Sequence, residues 1–227
     1  MPIRGSVLTQ TPEVLCLKTY HRRVATSTGR RPGPEAAASR ADVLAAVRRR
    51  YLAGERVDVR AVAAEVGLAR ATIYRWFGSR EELLGEVIAR ESEDYFRRVR
   101  SRVKGRGAAA LLETFDQINR GIVRSVPLRK YLEQEREAAL RTLTSSGGVC
   151  EPRAVAAIAA LIEEEVAAGA FEPPVEVPAL AYAIVGLANA FLYNDAVAGI
   201  RGDVERLRAV EAALLGVAPA RTPSGRS

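Results

Sequence analysis

Apolar residues recur every three or four positions in one segment after another, and period-two alternation bounded by hairpin turns is hard to find. The pattern predicts an all-α chain. Ser39 to Ala53 puts Val43, Leu44, Val47, Tyr51 and Leu52 on one face, opened by Ser39 with Asp42 and stopped by Gly54. Val59, Val62, Ala63 and Val66 share the next face, and Asp58 offers a carboxylate to the free N–H groups at its start. Gly67 interrupts the pattern where a tight turn is needed. The short helix that follows, Ala69 to Phe77, has only Ile73 and Phe77 on its apolar side. A rotation of about 100° per residue leaves Ala71, Thr72 and Arg75 opposite them, with Tyr74 and Trp76 on the flanks. Ser79–Arg80–Glu81–Glu82 has the spacing of a capping box. It opens a helix that runs to about Lys104 through Leu83, Leu84, Val87, Ile88, Tyr95, Phe96 and Val99. At 1.5 Å per residue this rod is roughly 39 Å long, enough to join a small head to a second domain and transmit a tilt.

The second half continues in helices. Ala108 to Val126 turns Leu111, Leu112, Phe115, Ile118 and Ile122 inward and stops before Pro127. Leu128 to about Leu143 reads as one helix carrying Tyr131 and Leu132, and Ser145 to Gly148 as a loop. Glu151 to Ala168 follows, with Glu163, Glu164 and Glu165 as a solvated face rather than an acid/base pair. Beyond Pro173, Pro174 and Pro178, the segment to about Gly199 is hydrophobic almost all round, so both its faces should be covered. Its unbroken apolar run falls short of the ~20 residues a membrane span needs, and Asn189, Asn194 and Asp195 interrupt it. Burial by its own domain on one side and by a second subunit on the other accounts for the pattern. Asp203 to Leu215 closes the series with Val204, Leu207, Val210, Leu214 and Leu215 inward.

The net charge of +7 is unevenly spread: residues 1–106 hold 22 Lys+Arg against 12 Asp+Glu, and residues 107–227 hold 12 against 15. A basic front and a mildly acidic rear suit a nucleic-acid module fused to a part that need not touch nucleic acid. Residues 1–37 lack periodicity, carry Pro2, Pro12, Gly29, Pro32, Gly33 and Pro34, and read as a disordered tail. Arg22, Arg23, Arg30 and Arg31 there suit either an arm reaching phosphates or a plain solvated tail. Two cysteines, Cys16 and Cys150, fit a reducing cytoplasm and make neither a disulfide framework nor a zinc site. Val14 to Leu17 is too short for the apolar core of a signal peptide, and the lone histidine, His21, lies in the tail. The sequence carries no glycine-rich phosphate loop, nucleophile–histidine–carboxylate set or metal-ligand cluster, so neither an enzyme nor a cofactor is expected.

The run Val62-Ala63, Gly67, Thr72-Ile73-Tyr74, Phe77 and Ser79-Arg80-Glu81-Glu82-Leu83-Leu84 closely resembles, without gaps, the DNA-binding domain of the TetR family of bacterial repressors. The resemblance implies a three-helix helix-turn-helix domain over 38–84, a helical effector-binding and dimerisation domain over 85–217, and a loose tail over 218–227. It places Arg60, Arg70, Ala71 and Tyr74 near base edges, and Thr72, Arg75, Trp76 and Arg80 near phosphates. The division is physically sensible, since guanidinium groups fork onto guanine while hydroxyl and indole N–H groups suit phosphate oxygens. Ala69 stands where the family often has Ser, and Val59 where it often has Thr, which removes a side-chain cap and a phosphate hydroxyl. The implied dimer, paired through the two final helices, sets its reading helices roughly 34 to 36 Å apart and predicts a near-palindromic operator. The implied effector cavity would be walled by Phe115, Ile118, Asn119, Ile122, Tyr131, Tyr182, Asn189 and Tyr193. Phe191 to Asp195 and Gly202-Asp203-Val204 also resemble the branch that regulates degradation of acyl-homoserine-lactone signals, which suggests a lactone or similar small amphiphile that releases a repressor. An architectural DNA-binding protein without effector, and a regulator switched by a protein partner, stand as alternatives.

Overall fold

A computed structural model describes residues 38–194 and 203–218, and among them every regular element is helical. Three short helices come first: α1 (Arg40–Ala53), α2 (Val59–Glu65) and α3 (Arg70–Phe77). The long α4 (Arg80–Arg102) leads to α5 (Gly107–Arg124), α6 (Val126–Gln134), α7 (Arg136–Thr144), α8 (Cys150–Ala167) and α9 (Val177–Asn189). A π-helical turn, Ala190–Asn194, extends α9, and α10 (Val204–Leu214) closes the set. The disordered tail expected over 1–37, with His21, Cys16 and the arm arginines, lies outside the described residues, as do 195–202 and 219–227.

Side-chain caps fix where the first helices begin. Ser39 and Asp42 form a reciprocal capping box on α1, Ser79 and Glu82 form another on α4, and the Asp58 carboxylate accepts from the Arg60 N–H at 2.8 Å. The head is held by Val43, Val47, Val59, Val62, Ala63, Ile73, Leu83 and Leu84, all buried together. That cluster does not stop at the head. It runs on through Val87 and Ile88 of α4 to Leu128, Tyr131, Ala139, Leu143 and Leu192. A second cluster begins lower on α4 with Phe96 and Val99 and gathers Leu111, Phe115, Ile158, Ile162, Leu180 and Ile184. One side of a single rod therefore packs into both cores, so a tilt of α4 is felt in each.

Three sequence expectations need correction. The helix expected to reach Val126 does stop before Pro127, but already at Arg124; Val126 and Pro127 open α6, where the missing proline N–H costs nothing and the Ser125 hydroxyl caps Leu128 N at 3.4 Å. Leu128 to Leu143 is two helices, because Glu135 leaves helical geometry at φ −143°, ψ 51°. The break lets Leu128 and Tyr131 pack towards α1 while Ala139 and Leu143 pack towards α4 and α8. Glu165 is not solvated: its Oε2 accepts the Gly107 N–H at 2.7 Å, and its Oε1 accepts from Arg106 at 3.2 Å and from Arg100. Burial raises the Glu165 pKa, but the Gly107 N–H and the two guanidinium groups outweigh it and hold the carboxyl below its ordinary range. Among the described residues no helix is long and apolar enough to cross a membrane, and no group of three His, Cys, Asp or Glu side chains gathers as a metal site.

Candidate nucleic-acid interface

The surface around α3 follows from how little of the helix is needed for packing. Gly67 takes φ +68° in the turn after α2, a conformation open to glycine and costly for other residues. Leu68 N then bonds back to Ala63 O at 2.9 Å, and α3 starts at Arg70. Ala69 supplies no side-chain cap, so the first N–H groups of α3 lack a side-chain acceptor. Ile73 is buried and Phe77 half-buried, which anchors one side. Arg60, Arg70, Ala71, Tyr74 and Arg75 are all exposed, Tyr74 to 41%. Thr72 and Trp76 are half-buried, and Trp76 meets Phe77 edge-on with ring centroids 6.5 Å apart. The Arg40 guanidinium lies 6.0 Å and 5.8 Å from the Trp76 and Phe77 ring centres and fixes that flank by cation–π contact.

Seven of the eight residues expected at the interface lie on α2 and α3. Among the described residues, Arg60, Arg70 and Arg75 have no ion-pair partner. Arg80 is different. Its Nε donates to Val57 O at 2.7 Å and its Nη2 to Glu135 Oε1 at 2.6 Å, so in the chain without DNA the residue expected near phosphates is held in an internal clasp.

The residues expected to wall an effector cavity are not gathered in one place. Phe115 and Ile118 are close-packed members of the second cluster, and Ile122 touches both clusters. Tyr131 is buried in the first cluster with its hydroxyl 3.0 Å from Thr142 Oγ1, and Tyr193 is buried there too. Asn189 is half-buried at the end of α9. Asn119 is buried and donates to Glu211 Oε1 at 3.0 Å. Tyr182 is 60% exposed and faces away from any interior, because Leu180, Ala181, Ile184 and Val185 take the inner side of α9. A small cleft of about 10 Å³ opens instead between head and body, lined by Tyr51, Val57, Leu84, Tyr131 and Glu135 among others. It has room for about one water.

Glu211 is a buried carboxylate that the sequence pattern did not single out. It is fully buried between Leu207 and Leu215, in line with the inward face of α10. An acid four residues after Leu207 on that face was the available signal. Arg208, one turn earlier, is engaged by Asp116 at 3.2 Å and Glu113 at 3.3 Å instead.

Comparison with known proteins agrees with this layout. Residues 55–87 match the model for bacterial regulatory proteins of the tetR family, and residues 106–216 match the tetracyclin repressor-like C-terminal domain. No curated protein sequence matches the chain. Among solved structures, the R. erythropolis transcriptional repressor QsdR is similar over 81% of this chain and 97% of its own, with 28% identity and a TM-score of 0.76. FadR from Bacillus subtilis, solved with stearoyl-CoA, is 13% identical over 80% of this chain and 100% of its own, with a TM-score of 0.47. A helix-turn-helix head matched at 55–87, a matched C-terminal domain and a basic reading face on α3 lead to one conclusion: the chain belongs to the TetR family of DNA-binding transcriptional regulators.

Proposed function

We propose that the protein is a cytoplasmic, homodimeric repressor that holds a near-palindromic operator and leaves it when a small amphiphilic ligand binds the second domain. The observation that carries the DNA half of this reading is the set of exposed guanidinium groups of Arg60, Arg70 and Arg75 around Tyr74, without ion-pair partners among the described residues. Arg60, Arg70, Ala71 and Tyr74 read base edges, and Thr72, Arg75 and Trp76 hold phosphates. Repression as the sign of control is supported by the likeness to QsdR, itself a transcriptional repressor.

The working division is 38–84 for DNA and 85–217 for ligand and dimer, with 1–37 and 218–227 as tails. For the dimer, α9 pairs with α8 rather than with α10. The outer sides of α8 (Ala156, Ala160) and α9 (Ala179, Tyr182, Gly186) are exposed and small or aromatic, as a close helix seam requires. Meanwhile α10 packs along α5 of its own chain, with Leu207 and Glu211 fully buried. For the ligand, Asn119, Asn189, Tyr193 and Glu211 are the polar groups among apolar walls, which suits a lactone-like amphiphile. Coupling of about 1 to 3 kcal/mol between the two sites is the usual scale.

A second reading, regulation without a small-molecule effector, is favoured by the close packing of Phe115 and Ile118 and by the existing Asn119–Glu211 bond. Selection of bound sequences from random duplexes tests the first reading. Enrichment of a near-palindrome, lost in Tyr74→Ala and Arg70→Ala, is expected; salt-sensitive binding with no enriched sequence contradicts it. Release of the enriched duplex by long-chain lactones then separates the ligand-responsive repressor from the effector-free regulator.

A further inference from the structure

Arg80 lies at the join between the reading head and the body, and only 17% of its side chain is exposed. Its partner Glu135, 12% exposed, marks the break between α6 and α7. The same carboxylate has a second cation in reach: Arg56 Nε stands 3.6 Å from Glu135 Oε2, at the end of a side chain that is 75% exposed. Gln134 next door donates to Gly54 O at 3.3 Å, so the α6 end is tied to the segment that leads into α2. Arg56 precedes Val57, the residue whose carbonyl Arg80 holds, and Arg80 follows α3 by only three residues. The α2–α3 pair is thus bordered at both ends by guanidinium groups that share one counter-anion.

A guanidinium offers five N–H donors in a rigid plane, and it binds phosphate oxygens through the same edge that it offers to a carboxylate. A phosphodiester and Glu135 are therefore rivals for Arg80 and Arg56. The long Arg56 contact and its exposure make it the looser of the two. We propose that Glu135 is a positioning residue for DNA binding, an internal counter-anion that DNA phosphates must displace from Arg80 and Arg56. This rests on the assignment of α3 as the DNA-reading helix. It also gives the α6–α7 break a means to set DNA affinity without touching DNA.

The test is duplex binding by fluorescence anisotropy at several salt concentrations, with wild type, Glu135→Gln, and Glu135→Gln combined with Arg80→Gln. Glu135→Gln should bind roughly three- to tenfold tighter at low salt with the log–log salt slope nearly unchanged, since Arg80 and Arg56 meet the same phosphates once Glu135 is displaced. The double variant should give back the part owed to Arg80. Unchanged or weaker binding, or a double variant that binds as tightly and with as steep a slope as Glu135→Gln, would overturn the proposal, because a purely structural role for Glu135 leaves Arg80 no phosphate to lose. Should Glu135→Gln fail to fold, the exposed Arg56→Gln decides: a slope shallower by about 0.9 supports the proposal, and the wild-type slope overturns it. Phosphates carry no sequence information, so an arbitrary duplex serves equally well. If wild type shows no sequence preference, the base-reading assignment fails while the slope comparison stands.

Discussion

Exchange of Glu211 for Gln isolates the cost of burying one carboxylate between α5 and α10. The side chain is 0% exposed. Its Oε1 accepts from Asn119, while Oε2 has no partner among the described residues. Burial pushes its pKa from 4.5 up to about 7; Asn119 pulls it back in part, Asp116 raises it further and Arg208 lowers it. On the neighbouring elements Asp116, Glu113 and Arg120 face the seam from α5, and Arg208 and Glu205 from α10 itself. At 1.36 kcal/mol per pKa unit the shift is worth roughly 3 kcal/mol. Below pH 4.5 the folded and unfolded chains both hold this proton, and the group is neutral in its effect on stability. Between 4.5 and about 7 the unfolded chain has released the proton and the folded chain has not, so stability falls as pH rises; above 7 the full penalty is present. Gln keeps the contact with Asn119 and abolishes the titration. At pH 8.5 the variant should melt higher than wild type by roughly 6 to 12 °C, at about 2 to 4 °C per kcal/mol for a chain of this size. At pH 5 the difference should shrink to about a quarter of that. Glu86 and Glu165, held below their ordinary range, titrate under this window and cancel in the difference. Melting curves at one protein concentration read the result, and an equal difference at both pH values would refute the reasoning.

Further outcomes follow from the packing. Gly107 takes φ +77°, and a Cβ there would lie 2.5 Å from Ala170 O; Gly107→Ala should lower stability by about 2 kcal/mol or more, measured by the urea midpoint. Ile73→Ala empties the most buried position of α3 and should cost about 2 to 4 kcal/mol, with weakened operator binding in the same preparation. Tyr182→Glu puts a charge on the proposed dimer seam and should yield a monomer by sedimentation where wild type is a dimer; an unchanged dimer would move the seam elsewhere.

The elements were legible where local chemistry determines them. The Ser39–Asp42 and Ser79–Glu82 boxes, the Asp58 cap and the glycine turn before α3 depend on residues within a few positions of one another. The exposed face of α3 was legible for the same reason: a helix that needs only Ile73 and Phe77 for anchorage leaves its other positions outside. What escaped the sequence depends on distant partners. Nothing near Glu135 announces a break, since its place is set by packing against α1, α4 and α8. The Arg80 partners lie 23 and 55 positions away. In α9, hydrophobic nearly all round, the pattern cannot say which side is inner, so the outward place of Tyr182 is invisible in it.

The central claim, that two copies of α3 read one operator from the same side of the duplex, is tested most directly by hydroxyl-radical footprinting of the selected sequence. Two protected half-sites about 10 to 10.5 base pairs apart, or a multiple of that, are predicted, both lost together in Arg70→Ala. A single unbroken footprint, or one that Arg70→Ala leaves intact, would contradict it.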